Sequence, residues 1–222
     1  MRIIFDLDGT LIDSAADIHA AGNATLAAEG LAPITLAQAR SFVGNGARVF
    51  VERLERAGAG SNQPARTARM HRAFVEKYKT AHALTRLYPG VIPTLGHLQA
   101  EGWRMAICTN KPGAPTHTVL AHFGLAGFFE AVIGGDSLST IKPDPAPLHA
   151  AIDALGGGGA VFVGDSEVDA ATAQAARVPF ALFTQGYRKT EIATIPHQRT
   201  FDDFGQLPAI ARNLLPGGQA AI

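Results

Sequence analysis

The sequence predicts an α/β protein with a doubly wound, mostly parallel sheet and an inserted α-helical cap. Short apolar runs recur along the chain with helical patterns between them, and residues 14–84 show helical periodicity without a convincing strand. Strands that alternate with helices indicate right-handed crossovers within one parallel sheet. With 222 residues, of which 47% are hydrophobic, the chain is long enough for such a core and a smaller insert.

The apolar runs are the predicted strands. The first, residues 2–5, ends in acidic residues, as a buried parallel strand does where it reaches the edge of a sheet. The same pattern returns at residues 103–109 and 160–165, and weaker versions lie at 130–133 and 179–183. Helical faces such as Val91, Leu95 and Leu98 separate these runs. The whole pattern favours a Rossmann-like sheet.

Residues 14–84 form the predicted cap. Breaks at 30–33, 44–46 and 58–64 divide the block, and Met70, Phe74 and Tyr78 recur every fourth residue, which we interpret as the packing face of one long helix. Because the chain leaves the first strand and returns to the second across this block, we expect a discontinuous α/β core of residues 1–13 and 85–222. The last seven residues, 216–222, are expected to be a frayed tail.

The composition excludes several classes of partner. Lysine plus arginine equals aspartate plus glutamate at 19 each, so no net charge favours a nucleic acid or a membrane surface. Apolar runs are shorter than the 18 or so residues that a membrane span needs, and the N-terminus lacks a signal-peptide pattern. The single Cys108 fits a reducing cytoplasm. We therefore expect a cytoplasmic monomer or homodimer that acts on a small molecule.

Polar side chains stand where the predicted strands end. Ligands of open parallel sheets bind at the carboxyl ends of the strands, so these side chains are expected to share one rim. The set contains four carboxylates, a lysine and several hydroxyls: Asp6, Asp8, Thr10, Thr109, Asn110, Lys142, Asp165, Ser166 and Asp169. Asp6 and Asp8 lie on one face of the first strand because side chains alternate with period two, and carboxyls this close favour one shared proton.

These residues carry a resemblance. The run from Asp6 to Thr10 (DLDGT), the strand-ending Thr109, the isolated Lys142 before a proline and the run from Gly164 to Asp169 (GDSEVD) resemble the four ordered motifs of the haloacid-dehalogenase-like superfamily. The match spans residue 4 to about residue 183, with the cap in the usual place. Finer features at 44–46, 109–112, 134–136 and 142–148 resemble the phosphoglycolate phosphatase group.

The resemblance implies a phosphatase that cleaves a small phosphate monoester through an aspartyl-phosphate, with 2-phosphoglycolate giving glycolate and phosphate. Asp6 resembles the nucleophile. Asp8 resembles the acid that protonates the leaving alcohol and then the base that activates water. Because two anionic carboxyls repel a phosphate dianion, a hard cation is needed, and an all-oxygen ligand set favours Mg²⁺.

The resemblance also implies the remaining roles. The protein ligands of Mg²⁺ would be Asp6, the Asp8 backbone carbonyl and Asp165, with Asp169 supporting the metal through water and Thr10 and Ser166 beside the ligands. Lys142 would supply charge to the phosphoryl group and to Asp6. Thr109 and the Asn110 amide would donate hydrogen bonds to phosphoryl oxygens. Asp169 could instead simply cap a helix, and Lys111 could be a loop charge or a substrate contact.

A second anion site is expected in the cap, since Mg²⁺ and Lys142 serve the phosphoryl end of the substrate. The turn of Gly44, Asn45 and Gly46 precedes a helical pattern, and a helix N-terminus favours an anion. Arg48, in the first turn, could add a paired charge. We therefore expect Asn45, Gly46 and Arg48 to bind the substrate carboxylate, although a plain helix–helix turn with an exposed arginine fits the same sequence.

One departure and several alternatives remain. The family usually has glycine near residues 176–178, where Ala176, Arg177 and Val178 stand, so that turn could be strained or different. A haloacid dehalogenase does not need Asp8, and no well-placed cap lysine favours a phosphonate-cleaving relative. A phosphosugar mutase would use the same Asp6 and Asp8, but needs a basic cap cluster. A non-catalytic phosphate-binding protein would be expected to have lost one of the two aspartates.

Overall fold

The computed structural model describes residues 1–215, and the expected frayed tail lies outside the described residues. A central sheet contains six strands: β1 (Arg2–Phe5), β4 (Arg104–Cys108), β5 (Ala131–Ile133), β6 (Val161–Gly164), β7 (Phe180–Phe183) and β8 (Arg199–Phe201). Their order is β5-β4-β1-β6-β7-β8, and every neighbouring pair is parallel. The predicted doubly wound α/β sheet is confirmed, with β8 as a strand that the sequence pattern did not reveal.

The sheet has an apolar layer on each face, because alternate side chains of a strand point to opposite sides. On β1, Ile3 and Phe5 belong to one buried cluster and Ile4 to the other. The first cluster is covered by α5 (Val91–Ala100), α6 (Gly113–His122) and α9 (Leu207–Leu214), and the second by α7 (Ala146–Ala154) and α8 (Glu167–Ala176). Helices on both faces leave the carboxyl ends of the central strands open for a site.

Four helices lie between β1 and β4: α1 (Ala15–Ala28), α2 (Leu36–Phe42), α3 (Gly46–Ala59) and α4 (Pro64–Tyr78). The segment that enters these helices and the segment that leaves them pair as two short antiparallel strands, β2 (Ile12–Asp13) and β3 (Arg86–Leu87). The helices share their own apolar cluster, in which Met70, Phe74 and Tyr78 are buried. That this block is a cap domain of residues 14–84, and that residues 1–13 and 85–222 form the core domain, stays a prediction.

Arg177 ends α8 with a φ of 57° and a ψ of 39°. This is the left-handed region, which glycine occupies at little steric cost and other residues rarely adopt. The turn therefore has the geometry that a glycine would give it, and the departure from the family pattern changes the residue rather than the fold. Across residues 1–215, none of the helices combines the length and apolar character needed to cross a membrane.

Candidate active site

A pocket opens at the carboxyl edge of the sheet, between the strand ends and the inserted helices. The core contributes loops that follow β1, β4, β5 and β6, and the inserted helices contribute a mostly apolar wall. Nine core residues line it: Asp6, Asp8, Thr109, Asn110, Lys111, Pro112, Lys142, Ser166 and Asp169. Parallel strands end on the same edge, which is why motifs far apart in sequence meet here.

Lys142 joins two of the carboxylates. Its ammonium lies 2.9 Å from Oδ1 of Asp6 and 2.6 Å from Oδ1 of Asp169, and 2% of its side chain is exposed. Burial alone would lower the pKa of Lys142, but the Asp169 and Asp6 carboxylates outweigh it and hold the pKa above its usual value. The lysine is thus a fixed positive charge beside Asp6.

Three buried carboxylates come together here. Oxygens of Asp6, Asp165 and Asp169 lie within 4.8 Å of one another. Burial raises the pKa of Asp6 to about 7, even though Lys142 opposes the shift. Burial, followed by the charges of Asp169 and Asp6, also raises the pKa of Asp165. One ammonium does not neutralise three carboxylates, so further positive charge would stabilise the cluster.

The cluster fits a hard divalent cation. Oδ1 of Asp6 is buried and accepts no well-aligned hydrogen bond from residues 1–215, although the Lys142 ammonium is near. A buried carboxylate oxygen without a donor is costly unless an ion takes its lone pairs. The available donors are carboxylate oxygens without sulfur or imidazole, the set that Mg²⁺ prefers. The predicted ligands Asp6 and Asp165 are therefore suited to Mg²⁺, and Asp169 lies close enough to join them.

Two hydrogen-bond donors hold the Asp165 carboxylate, and two glycines leave the space that it occupies. Thr10 Oγ1 donates to its Oδ1 at 2.8 Å, and the backbone N–H of Tyr187 donates to its Oδ2 at 2.6 Å. A Cβ at Gly9 or Gly186 would stand 2.5 Å or 2.3 Å from that same Oδ2. Side-chain atoms at either position would displace the carboxylate. Thr10 therefore lies beside Asp165, whose role as a metal ligand stays a prediction.

Asp169 caps α8 and also lies in the carboxylate cluster, while its support of a metal stays a prediction. Its Oδ2 accepts hydrogen bonds from the Ser166 hydroxyl at 2.7 Å and from the Ser166 N–H at 3.1 Å, while Ser166 Oγ accepts from the Asp169 N–H, which closes a capping box on α8. Its Oδ1 meanwhile pairs with Lys142. The helix cap therefore orients a carboxylate that also belongs to the site.

Asp8 forms an ion pair with Lys111. Its Oδ1 lies 3.1 Å from the Lys111 ammonium and accepts a hydrogen bond from Ser14 Oγ at 2.5 Å. The two carboxylates pair with separate cations, Asp6 with Lys142 and Asp8 with Lys111. That Asp6 and Asp8 share one proton stays a prediction.

Lys111 is a buried pocket residue and not an exposed loop charge, since 6% of it is exposed. Its ammonium also contacts the Tyr78 hydroxyl, and it lies 3.9 Å from the centre of the Tyr78 ring. The interpretation of Tyr78 as packing alone is therefore incomplete: its ring packs in the cluster of the inserted helices, but its hydroxyl enters the pocket. The periodicity of α4 predicted that the Tyr78 ring is buried, but it could not predict the contact between the Tyr78 hydroxyl and Lys111.

Asn110 and Thr109 shape the floor of the pocket. The Asn110 side chain accepts from the Lys142 N–H and donates to the Lys142 carbonyl, both at 2.9 Å, and also donates to the Gly44 carbonyl at 2.9 Å. Its side chain thus fixes the Lys142 loop and joins it to the inserted helices. Thr109 accepts from the Lys111 N–H at 3.2 Å, which leaves its own hydroxyl hydrogen for a ligand.

The structure does not place Arg48 and Asn45, two of the expected substrate contacts, among the residues that line the pocket. Arg48 is 82% exposed and its Nε pairs with Glu52 Oε1 at 3.1 Å, one turn along α3 on the solvent side. Asn45 Oδ1 accepts a hydrogen bond from the Arg53 guanidinium at 2.9 Å. Of the three predicted residues only Gly46, which begins α3, lines the pocket. Helical periodicity explains this arrangement, because side chains at adjacent positions point about 100° apart and Gly46 and Phe50 face the pocket.

Two features escaped sequence reasoning. Tyr187 and Gly186 follow β7 and contact Asp165, so their position after a predicted strand was the signal that could have found them. The Tyr187 hydroxyl also donates to Asp13 Oδ1 at 2.7 Å and accepts from the Ser14 N–H at 2.8 Å. It therefore ties the loop after β7 to the segment that enters α1.

Comparisons with known proteins agree with this geometry. A family model described as haloacid dehalogenase-like hydrolase matches residues 3–183. A phosphoglycolate phosphatase of Cereibacter sphaeroides is 48% identical over 214 residues, which cover 96% of this chain and 98% of the relative. A phosphoglycolate phosphatase of Rhodospirillum rubrum is 41% identical and covers 97% of this chain, with 92% of its own length matched.

A solved structure gives the same result for the fold. The crystal structure of a predicted phosphoglycolate phosphatase from Haemophilus somnus superposes with a TM-score of 0.88. It is 32% identical, and the alignment covers 94% of this chain and 96% of that one. The likeness therefore extends over the sheet and the inserted helices together.

Proposed function

This chain belongs to the haloacid dehalogenase-like hydrolases, and we propose on that premise that it hydrolyses 2-phosphoglycolate to glycolate and phosphate with Mg²⁺. It is a phosphoric monoester hydrolase. The observation that carries the proposal is the position of Asp6, which lies beside both Lys142 and the carboxylate cluster. The named substrate is supported by full-length relatives called phosphoglycolate phosphatases.

Asp6 is the proposed nucleophile. It directly follows β1, and its buried carboxylate lines the pocket, so its oxygen can reach a phosphorus atom from the sheet side. Attack forms an aspartyl-phosphate and expels the alcohol, and water then attacks the phosphorus to release phosphate and restore Asp6. Two such steps each have a lower barrier than direct hydrolysis. The Lys142 ammonium lowers the repulsion between the carboxylate and the incoming phosphoryl oxygens.

Asp8 is the proposed acid and base. In the first step it gives a proton to the departing alkoxide, and in the second it takes a proton from the attacking water. Ser14 and Lys111 fix the orientation of its carboxyl group. The side chain also lines the pocket, so leaving group and water can both reach it.

Asp6, the Asp8 carbonyl and Asp165 are the proposed Mg²⁺ ligands, with Asp169 beside them. The ion, when bound, would polarise a phosphoryl oxygen and offset the negative charge of the carboxylates. Thr10 and Tyr187 hold Asp165 in place for this purpose. Thr109 and the Asn110 backbone amide are proposed donors to the phosphoryl oxygens, and Asn110 also keeps Lys142 in position.

The inserted helices are proposed to act as a cap that limits the leaving group. Their pocket wall is largely apolar, with Ile18, Phe50 and Phe74 facing the strand ends. Such a wall suits a small substrate and restricts water near the reacting atoms.

Phosphate release from a panel of small esters tests the proposal. The protein would first be freed of metal by chelation and then assayed with Mg²⁺ on 2-phosphoglycolate, glycerol phosphate and glucose 6-phosphate. We expect Mg²⁺-dependent release with the highest kcat/KM for 2-phosphoglycolate. A higher kcat/KM for glucose 6-phosphate or glycerol phosphate would contradict 2-phosphoglycolate as the preferred substrate. Equal turnover with and without chelator would contradict the dependence on Mg²⁺.

A further inference from the structure

Lys111 is the one cation lining the pocket, among the described residues, that does not touch the carboxylate cluster. The other lining cation, Lys142, is paired with Asp6 and Asp169. Lys111 instead contacts Asp8, the proposed proton donor to the leaving group, at 3.1 Å and 3.4 Å. Of the two lysines, it is the one on the leaving-group side of the pocket.

The Lys111 ammonium keeps capacity for another acceptor. An ammonium has three N–H donors. In the described structure its acceptors are the two oxygens of the single Asp8 carboxylate, at 3.1 Å and 3.4 Å, and the Tyr78 hydroxyl. One N–H shared by the two carboxylate oxygens and one directed at the hydroxyl serve both partners. The Tyr78 ring lies below the ammonium at 3.9 Å, and 2% of the lysine side chain is exposed. A buried, oriented cation with a remaining donor is suited to bind an anion that enters the pocket.

We propose that Lys111 determines specificity by binding a carboxylate on the leaving group, while Tyr78 holds the lysine in place from the cap side. The inference rests on the proposed function and replaces the role that the sequence suggested for Arg48. It assigns to one core lysine the recognition of esters whose alcohol is a short α-hydroxy acid.

The distances favour a carboxylate close to the scissile bond. In 2-phosphoglycolate one methylene carbon separates the ester oxygen from the carboxylate. A proton donor and a carboxylate-binding group for this molecule must therefore be neighbours, as Asp8 Oδ1 and Lys111 Nζ are at 3.1 Å. The apolar side chains of Ile18, Phe50 and Phe74 line the same pocket and offer no charge to a longer or more polar alcohol.

A pair of matched esters tests the inference. 2-Hydroxyethyl phosphate has the same phosphoryl end as 2-phosphoglycolate, but a neutral hydroxymethyl group replaces the carboxylate. The wild type should have a kcat/KM at least about tenfold higher for 2-phosphoglycolate. In Lys111→Met the ratio of kcat/KM for 2-phosphoglycolate to kcat/KM for 2-hydroxyethyl phosphate should fall by about tenfold to a hundredfold. The reason is that the charged hydrogen bond from Lys111 forms only with the ester that has a carboxylate.

Arg48→Met is the matched control, since it removes an exposed positive charge outside the pocket. Its ratio should stay within about twofold of the wild type, which limits any general effect of net charge. Circular dichroism checks that Lys111→Met folds, and Lys111→Gln serves if it does not.

Three results would overturn the inference: a wild-type ratio near one, an unchanged ratio in the Lys111 variants, or an equal fall in Arg48→Met. In each of these the wild type still hydrolyses 2-phosphoglycolate, so the proposed function survives. Absence of turnover of either ester by the wild type would instead reject the proposed function, and this inference with it.

Discussion

The ammonium of Lys142 lies 2.9 Å from Oδ1 of Asp6, at the carboxyl edge of the central sheet. Asp6 follows β1 directly, whereas Lys142 follows β5 after a loop that Asn110 fixes with paired hydrogen bonds. The contact neutralises one of three clustered carboxylates and leaves the others with excess negative charge. A divalent cation would offset this negative charge.

Asp165→Asn should weaken Mg²⁺ binding. The change keeps the size of the side chain but removes the charge of a proposed ligand, so the apparent Kd should rise by at least about tenfold. The measurement is the rise in Tm with Mg²⁺ concentration, which reports binding without any turnover. Asp153→Asn, on the exposed side of α7, is the control and should titrate like the wild type. Equal titrations for wild type and Asp165→Asn would remove Asp165 from the metal site.

Ca²⁺ should bind in place of Mg²⁺ and inhibit. Calcium accepts more ligands at longer distances, so it can take both oxygens of Asp6 and hold the nucleophile away from the line of attack. Added to enzyme at a fixed Mg²⁺ concentration, Ca²⁺ should lower kcat in a manner that excess Mg²⁺ reverses. Full activity with Ca²⁺ alone would contradict a nucleophile that shares the metal.

Mg²⁺ affinity should increase with pH between 6 and 8. Burial raises the pKa of Asp6 to about 7 in the metal-free protein, so a proton occupies this ligand at pH 6 and must leave before the ion binds. For one proton of this pKa the apparent Kd should fall about tenfold from pH 6 to pH 8, with most of the change below pH 7. Calorimetric titration in several buffers would also detect the proton that is released. A flat profile would show that Asp6 is already ionised at pH 6.

Glu55→Ala should destabilise the inserted helices. Glu55 is fully buried and accepts hydrogen bonds from the Gln63 N–H at 2.9 Å, from Arg66 Nε at 2.7 Å and from the Thr67 hydroxyl. Its loss leaves these donors at the start of α4 without their acceptor, which should cost about 3 kcal/mol in the free energy of unfolding.

The control for this change is Glu52→Ala on the solvent side of α3. It removes the exposed pair with Arg48 and should change the free energy of unfolding by less than about 1 kcal/mol. Denaturant unfolding followed by circular dichroism gives both values. Equal small effects would mean that the buried Glu55 cluster contributes no net stability.

The core of the fold could be predicted because buried parallel strands leave a strong signal. Continuous apolar runs fill residues 3–5, 105–108 and 161–163, and each of these strands lies inside the sheet with a neighbour on both sides. β8 was missed because it is a three-residue edge strand in which only Phe201 is buried. Short edge strands have little apolar pattern, so their pairing is decided by tertiary contacts.

The site residues at the strand ends could also be predicted from the signal of the buried strands. The contacts that the inserted helices make with the pocket could not. Asp6, Asp165 and Lys142 follow predicted strands, and parallel topology alone brings such positions together. The contact between Tyr78 and Lys111 depends on how α4 approaches the sheet, which local periodicity does not encode. In the same way, the orientation of α3 about its own axis determines that Gly46 faces the pocket and Arg48 faces the solvent.

Asp6→Asn should abolish activity without unfolding the protein. The amide has the shape of the carboxylate but is a poor nucleophile, so kcat should fall by more than about a hundredfold. Circular dichroism and Tm should show a folded variant, since Asn can still accept from its neighbours. A variant that keeps more than about a hundredth of wild-type kcat would contradict the role of Asp6.

Direct detection of phosphate on Asp6 tests the central claim. Asp8→Asn with p-nitrophenyl phosphate is the suitable pair, because this leaving group departs without an acid while loss of the base slows the second step. The account predicts a burst of close to one p-nitrophenolate per enzyme molecule. It also predicts that acid quenching followed by peptide mass spectrometry places a phosphoryl group, removable by hydroxylamine, on Asp6. Linear product formation without a burst, together with an unmodified Asp6 or a phosphoryl group on another residue, would contradict it.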